Sequence, residues 1–175
     1  RGDYVRSPQA VRRFLREGKL LAHVKHPAVV EVFDVGLSPE HTPYLVMELA
    51  PGEDLEHHIA RVGPVSVNDA VTVLGEVLEA LQAIHQAGVV HRDIKPSNLI
   101  LAEEGVRVVD FGIAALPDGT RLTQTMDRMG TSHYMAPERW SGDFSPRSDV
   151  YACGRVLFTL LAGRPPHRPD ETLRQ

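Results

Sequence analysis

The chain has 175 residues, 19 basic and 23 acidic, for a formal net charge of −4, and 42% of it is hydrophobic. That length and apolar content suit one soluble globular domain, and the balance offers no basic footprint for nucleic acid or anionic lipid, so any phosphate it binds must be held locally. The lone Cys153 excludes an internal disulfide framework and leaves no paired cysteines at zinc spacing.

In chain order, Ser7-Pro8 is a helix start, and Val11, Phe14, Leu15, Leu21 and Ala22 recur at helical spacing to about residue 24, opposite Arg12, Arg13, Arg16 and Lys19. Two β-branched stretches, 29–35 and 44–49, are separated by Gly36 and two prolines and read as an antiparallel pair; Pro51-Gly52 breaks the second. Ser66 to Asp69 has the form of a capping box, and Val71, Leu74, Leu78, Leu81 and Ile84 predict a long buried helix that stops at Gly88. Short apolar strands at 99–101 and 106–109 flank the turn Glu103-Glu104-Gly105. Residues 113–135 lack periodicity and form a long loop of a kind that is usually functional. Ser145-Pro146 opens a last helix, with Val150, Leu157, Phe158 and Leu161 on one face and Gly163 at its end. Arg155 interrupts the longest apolar run, residues 150–161, so nothing in the chain is long enough to span a bilayer. Cys153 lies in that run and reads as a buried structural thiol.

The chemistry concentrates in His91-Arg92-Asp93-Ile94-Lys95-Pro96-Ser97-Asn98, with Asp110-Phe111-Gly112 one short hairpin later. Phosphoryl transfer needs a carboxylate for the hydroxyl proton, hard oxygen ligands for magnesium and a cation beside the moving phosphate. Asp93, Asn98, Asp110 and Lys95 are residues of those types. An Asp-Phe-Gly alone is an ordinary turn after a strand. In this order, and followed by Ala136-Pro137-Glu138, the three motifs resemble the eukaryotic-type (Hanks-type) serine/threonine protein kinases.

That resemblance implies an α+β, two-lobed, protein-kinase-like fold, here partial: residues 1–48 as a small-lobe remnant, 49–52 as the hinge and 53–175 as an incomplete large lobe. It implies ATP and Mg2+ as cofactors and a protein Ser/Thr hydroxyl as acceptor, with no nucleic-acid partner and a cytoplasmic catalytic portion. Asp93 would be the proton acceptor and Lys95 would hold the transferred phosphate; lysine at that position marks the serine/threonine class. Asn98 and Asp110 would bind the metal and the nucleotide phosphates. The Glu48 carbonyl and the Ala50 backbone would meet adenine, with Met47 as gatekeeper and Ile100 closing the pocket from below. Glu17 takes the place of the ion-pair glutamate of the first helix, with Leu21 one turn on, stacking toward Phe111 and His91. Asp149 resembles the aspartate that anchors the catalytic-loop backbone. Arg92 resembles the arginine that binds an activation-loop phosphate, for which Thr123 and Thr125 are the candidates and Asp127 a fixed-charge substitute. Gly130-Thr131 would join Tyr134 to Glu138 in docking substrate, with the partner of Glu138 expected beyond residue 175. His57 and His58 show no ligand spacing and read as solvated.

The match has gaps. No Gly-x-Gly pattern occurs, and no Ala-x-Lys strand precedes Glu17; Lys19 and Lys25 follow it. The chain is therefore expected to be cut at both ends from a longer kinase and inactive as it stands; the alternative is a pseudokinase-like binding module without catalysis.

Overall fold

The computed structural model describes residues 8–112 and 131–166. Helix α1, Pro8–Leu21, buries Ala10, Phe14, Glu17, Gly18 and Leu21 and packs on strands β1, Val32–Leu37, and β2, Pro43–Met47. The face thus combines apolar residues with one acid, Glu17, which must find a cation. β1 and β2 are antiparallel, from Val32 opposite Met47 to Leu37 opposite Pro43, with an irregularity at Phe33. The pair starts later than residue 29 because the preceding backbone is already engaged: Val108 N donates to Ala28 O at 2.8 Å, and Val30 N donates to Val108 O at 3.3 Å. These bonds tie the first three elements to the rest of the molecule.

A three-stranded sheet follows, in the order β3, Glu53–Asp54; β4, Leu99–Ala102; β5, Gly105–Val108. Helix α2, Leu55–Val62, which no apolar period had announced, is capped by Asp54, whose side chain accepts from His57 N at 3.0 Å. His57 is solvated as expected, with Nδ1 2.7 Å from Asp54 Oδ2, whereas His58 is half-buried, its Nδ1 3.1 Å from Glu53 Oε2.

Helix α3, Val67–Gln86, begins at the expected cap, Asp69 N donating to Ser66 Oγ at 3.2 Å. Its buried residues are Ala70, Leu74, Val77, Ala80, Leu81 and Ile84, while Val71 and Leu78 are 61% and 42% exposed. The expected stripe was one position off at two of its five members: Ala70 and Val77 turn inward beside them, and α3 packs on β5 and on helix α4, Pro146–Ala162. In α4 the difference is larger. Val150, Phe158 and Leu161 are exposed, and the buried face carries Ser148, Asp149, Ala152, Cys153, Val156, Thr159 and Leu160. Small and polar residues, rather than the largest apolar ones, turn inward there because the helix must meet both α3 and the backbone of a loop. Gly163, at φ 67°, closes α4 as expected.

One buried cluster joins Phe14 and Leu21 of α1, the inner face of α3, Leu99, Val106, Val108, Phe111 and Val156 and Leu160 of α4. Each fully buried Leu, Ile or Val in it contributes about 1.5–3 kcal/mol relative to exposure. Burial also pushes the Cys153 thiol up to about 12, so it stays protonated and unreactive.

Candidate active site

The loop after α3 is held from beneath by one carboxylate. His91 N donates to Asp149 Oδ2 at 2.9 Å, Arg92 N donates to Asp149 Oδ1 at 2.8 Å, and His85 Nε2 lies 2.8 Å from Oδ2. Burial raises the Asp149 carboxyl, but the His85 bond and the two backbone amides outweigh it and leave the group below its ordinary value. Arg92 has φ 69°, a left-handed conformation that costs a non-glycine residue on the order of 1–3 kcal/mol, and the Asp149 bond to its N–H helps hold it there.

His91 is buried and neutral, because desolvation lowers its pKa by more than its carboxylate neighbours raise it. The tautomer follows from its neighbours: Asp93 N donates to Nδ1 at 3.3 Å, so Nε2 carries the proton and donates to Val109 O at 3.1 Å. The ring packs on Phe111 with centroids 5.1 Å apart. Leu21 lies in the same buried cluster as Phe111.

Asp93, Lys95 and Asn98 converge. Asp93 Oδ2 lies 2.8 Å from Lys95 Nζ and accepts from Asn98 Nδ2 at 3.0 Å; Asn98 Nδ2 also donates to Asp93 O at 2.7 Å. Asp93 Oδ1 is buried with no hydrogen-bond partner, and among the described residues it is the one side-chain oxygen in that condition. With its nitrogen committed to Asp93, Asn98 has its amide oxygen left as the atom that could hold a cation. Val109 N donates to Asn98 O at 3.0 Å and Leu99 pairs with Val108, so the open end of the β4–β5 hairpin places Asn98 next to the residues leading to Asp110. Asp110 is exposed, at φ 55°. One carboxylate and one amide oxygen at a single hairpin mouth fit a magnesium ion that keeps its other positions for phosphate and water. Gly112 is required where it stands: its N–H donates to His91 O at 2.8 Å, and a Cβ there would lie 3.0 Å from that oxygen and 3.2 Å from Arg92 Cβ.

At the other edge, Glu48 N donates to Glu31 O at 2.8 Å, while the Glu48 carboxylate accepts from Glu31 N at 3.2 Å and pairs with Arg107 of β5. Ala50 lies on the short link from there to Gly52. Gly52, at φ 142°, passes so close to β4 that a Cβ would sit 2.1 Å from Leu101 O and 2.9 Å from Ile100 Cγ2, which puts Ile100 against the end of this link.

Glu17 and Arg92, each expected to serve a different partner, are bonded to each other. Arg92 Nη1 donates to Glu17 Oε2 at 2.8 Å and Nη2 to Oε1 at 2.7 Å, and Arg13 Nε adds a bond to Oε1 at 2.9 Å. Burial raises the Glu17 carboxyl, yet the two arginines more than offset it and hold the group below its ordinary value. Thr123, Thr125, Asp127 and Gly130 lie outside the described residues, as does the Thr131 side chain.

Glu138 finds a partner within the chain: Ser148 Oγ donates to Glu138 Oε1 at 2.7 Å. Tyr134 Oη lies 3.2 Å from Thr159 Oγ1, and Arg155 donates to His133 O, so α4 carries the Ala-Pro-Glu segment on one polar row and the catalytic loop on Asp149. Sequence reasoning missed Ser148, His85, Arg107 and the stack of Arg92 and Arg139 on Phe144, whose guanidinium carbons lie 5.5 and 5.0 Å from its ring centre. Only His85 carried a signal, as a basic residue type in the last turn of α3.

The family description "Protein kinase domain" matches residues 4–175. The chain is 41% identical, over 97% of its length, to the serine/threonine-protein kinase PknB of Mycobacterium leprae, of which it covers 28%. It is 40% identical, over 99% of its length, to the serine/threonine-protein kinase PknA of Mycobacterium tuberculosis, of which it covers 42%. The crystal structure of the M. tuberculosis PknI kinase domain superposes with a TM-score of 0.74 at 31% identity, over 92% of this chain and 59% of that one. The chain thus spans less than half the length of these curated relatives. With an α+β fold that superposes on a solved kinase domain and a family match over nearly every residue, the chain belongs to the protein kinase domain family.

Proposed function

We propose that this chain is the central part of a longer serine/threonine protein kinase that transfers the γ-phosphoryl group of ATP to a protein hydroxyl. The observation that carries the reading is the buried, unpartnered Oδ1 of Asp93, on a carboxylate whose other oxygen is fixed by Lys95 and Asn98. A substrate Ser or Thr hydroxyl hydrogen-bonded to Oδ1 is oriented for attack. As its oxygen bonds to the γ-phosphorus and the bond to the bridging oxygen breaks, the hydroxyl proton passes to Asp93 and ADP leaves. Lys95 stands beside Asp93 to neutralise the moving phosphoryl group. Asn98 and Asp110 would hold magnesium, which offsets charge on the phosphates. Glu48 and Ala50 supply backbone groups to adenine, and Ile100 lines the pocket from below. The lobes divide as residues 1–48, hinge 49–52 and 53–175. Among the described residues no helix is long and apolar enough to cross a membrane. The use of ATP as phosphoryl donor is the ground on which we assign the catalytic portion to the cytoplasm.

Because these 175 residues contain no Gly-x-Gly loop and no strand lysine for Glu17, they are inactive as they stand. The test assays magnesium-ATP phosphorylation of a basic protein by this chain and by a polypeptide extended at both ends. Activity only in the extended protein, lost in Asp93→Asn, supports the reading. An extended protein that phosphorylates nothing yet binds a protein partner would support the non-catalytic binding module.

A further inference from the structure

A cavity of about 290 Å³ opens between α2, the catalytic loop and the end of α4. That is just under the roughly 300–1,000 Å³ usual for a whole small-molecule ligand, and it suits one protruding side chain. Ile59 and Ala60 of α2, Pro96 and Pro165 form its walls. Pro96 follows Lys95, whose ammonium lies 2.8 Å from Asp93 Oδ2, so the cavity adjoins the place proposed for the acceptor hydroxyl.

Its hydroxyl groups are already satisfied. Thr159 Oγ1 donates its one hydrogen to Arg155 O at 3.0 Å, so the 3.2 Å contact with Tyr134 Oη is a bond that Tyr134 donates. An apolar occupant therefore strands no hydroxyl donor, whereas a carboxylate or amide oxygen would find no free one to bind. At the rim stand the exposed Glu56 carboxylate and the Arg164 guanidinium, which lies 5.3 Å from the Phe158 ring centre. Their opposite charges favour neither sign of incoming side chain.

We propose that this cavity is a specificity pocket, which takes an aliphatic or aromatic side chain that the protein substrate carries close to its Ser or Thr acceptor. The inference rests on the kinase reading and adds to it the class of polypeptide that the site selects. Removing such a side chain from water against Ile59, Ala60 and the two prolines binds the segment and helps to place its hydroxyl at Asp93 Oδ1. Ile59 is 5% exposed and belongs to the core cluster, so this wall is preformed. Ala60 is small and exposed, and a large side chain at that position would fill the space.

The test uses the extended kinase, magnesium-ATP and acceptor peptides in which each flanking position carries Leu, Phe, Ala, Asp or Arg in turn. At one flanking position Leu or Phe is expected to raise kcat/KM about tenfold or more over Ala and Asp. In Ala60→Phe that ratio is expected to fall below about twofold. As a ratio within one protein, it does not depend on how much of the variant is folded. Equal rates with Leu, Phe and Ala at every position of the parent's peptides, or a preference that survives Ala60→Phe, overturns the pocket. So does a preference for Arg that Glu56→Gln abolishes, which would make the cavity a site for a basic side chain. A kinase that phosphorylates a basic protein but none of the peptides overturns it too. Failure to phosphorylate any peptide or protein sinks the kinase reading itself, and is thereby distinguished from failure of the pocket alone.

Discussion

Asp149 accepts hydrogen bonds from the backbone N–H groups of His91 and Arg92, residues 58 and 57 positions earlier in the chain, at 2.9 and 2.8 Å. One carboxylate on the first turn of α4 thereby fixes the backbone from which Asp93 projects. Asp149→Ala leaves two backbone donors unsatisfied and removes the partner of His85, and is expected to cost about 3–5 kcal/mol of stability. Asp149→Asn keeps one acceptor oxygen and is expected to lose less. Urea denaturation of the three proteins measures both, and equal losses for Ala and Asn would show that charge rather than geometry matters at this position.

Asp93→Asn in the extended kinase keeps the size of the side chain and removes the carboxylate proposed as the proton acceptor. Turnover is expected to fall by about 10²–10⁴, with nucleotide affinity nearly unchanged. Retention of most of the turnover would remove Asp93 from its role.

His91 gives a pH dependence with a definite sign. Its pKa in the folded protein lies below the ordinary 6.5, so it contributes stability that is fully present above that value and is lost as pH falls through the folded one. The stability of the parent is expected to decline as the pH falls below 6.5. His91→Phe, which preserves the contact with Phe111 and cannot titrate, flattens that part of the curve. An unchanged slope in the variant would place the titration elsewhere.

Glu17 acts in a lower window. Its folded pKa is depressed, so the ion pair stabilises above the unfolded carboxylate value of 4.5 and its contribution disappears as pH falls through the folded one. The stability difference between the parent and Glu17→Gln is expected to be largest at neutral pH and to close in acid. A difference independent of pH would mean that the carboxylate charge contributes nothing.

Gly52→Ala is expected to destabilise by roughly 2–4 kcal/mol, because the added methyl meets Leu101 O and the residue must keep φ 142°. In the extended kinase, loss of affinity for an ATP analogue should accompany it, since the link that ends at Gly52, proposed as the hinge, must shift away from β4. A neutral substitution would mean that this link moves freely.

The sequence by itself determined the family and most of the elements. His-Arg-Asp, Asn98 and Asp-Phe-Gly are contiguous motifs, and local signals such as Ser66 at a helix start, Gly163 at a helix end and the Glu103–Gly105 turn act over a few residues, so they can be read without a fold. Tertiary structure decided which face of a periodic helix turns inward. Val71, Leu78, Val150 and Phe158 are at least as apolar as the residues that were buried instead, but α3 turns Ala70 and Val77 inward, and α4 spends its inward face on Ser148 and Asp149. It also decided partners. Glu138 with Ser148, Glu48 with Arg107 and above all Glu17 with Arg92 are ion pairs and hydrogen bonds between distant segments. Such bonds depend on which buried charges the fold brings within about 3 Å of each other, a distance that no spacing along the chain encodes.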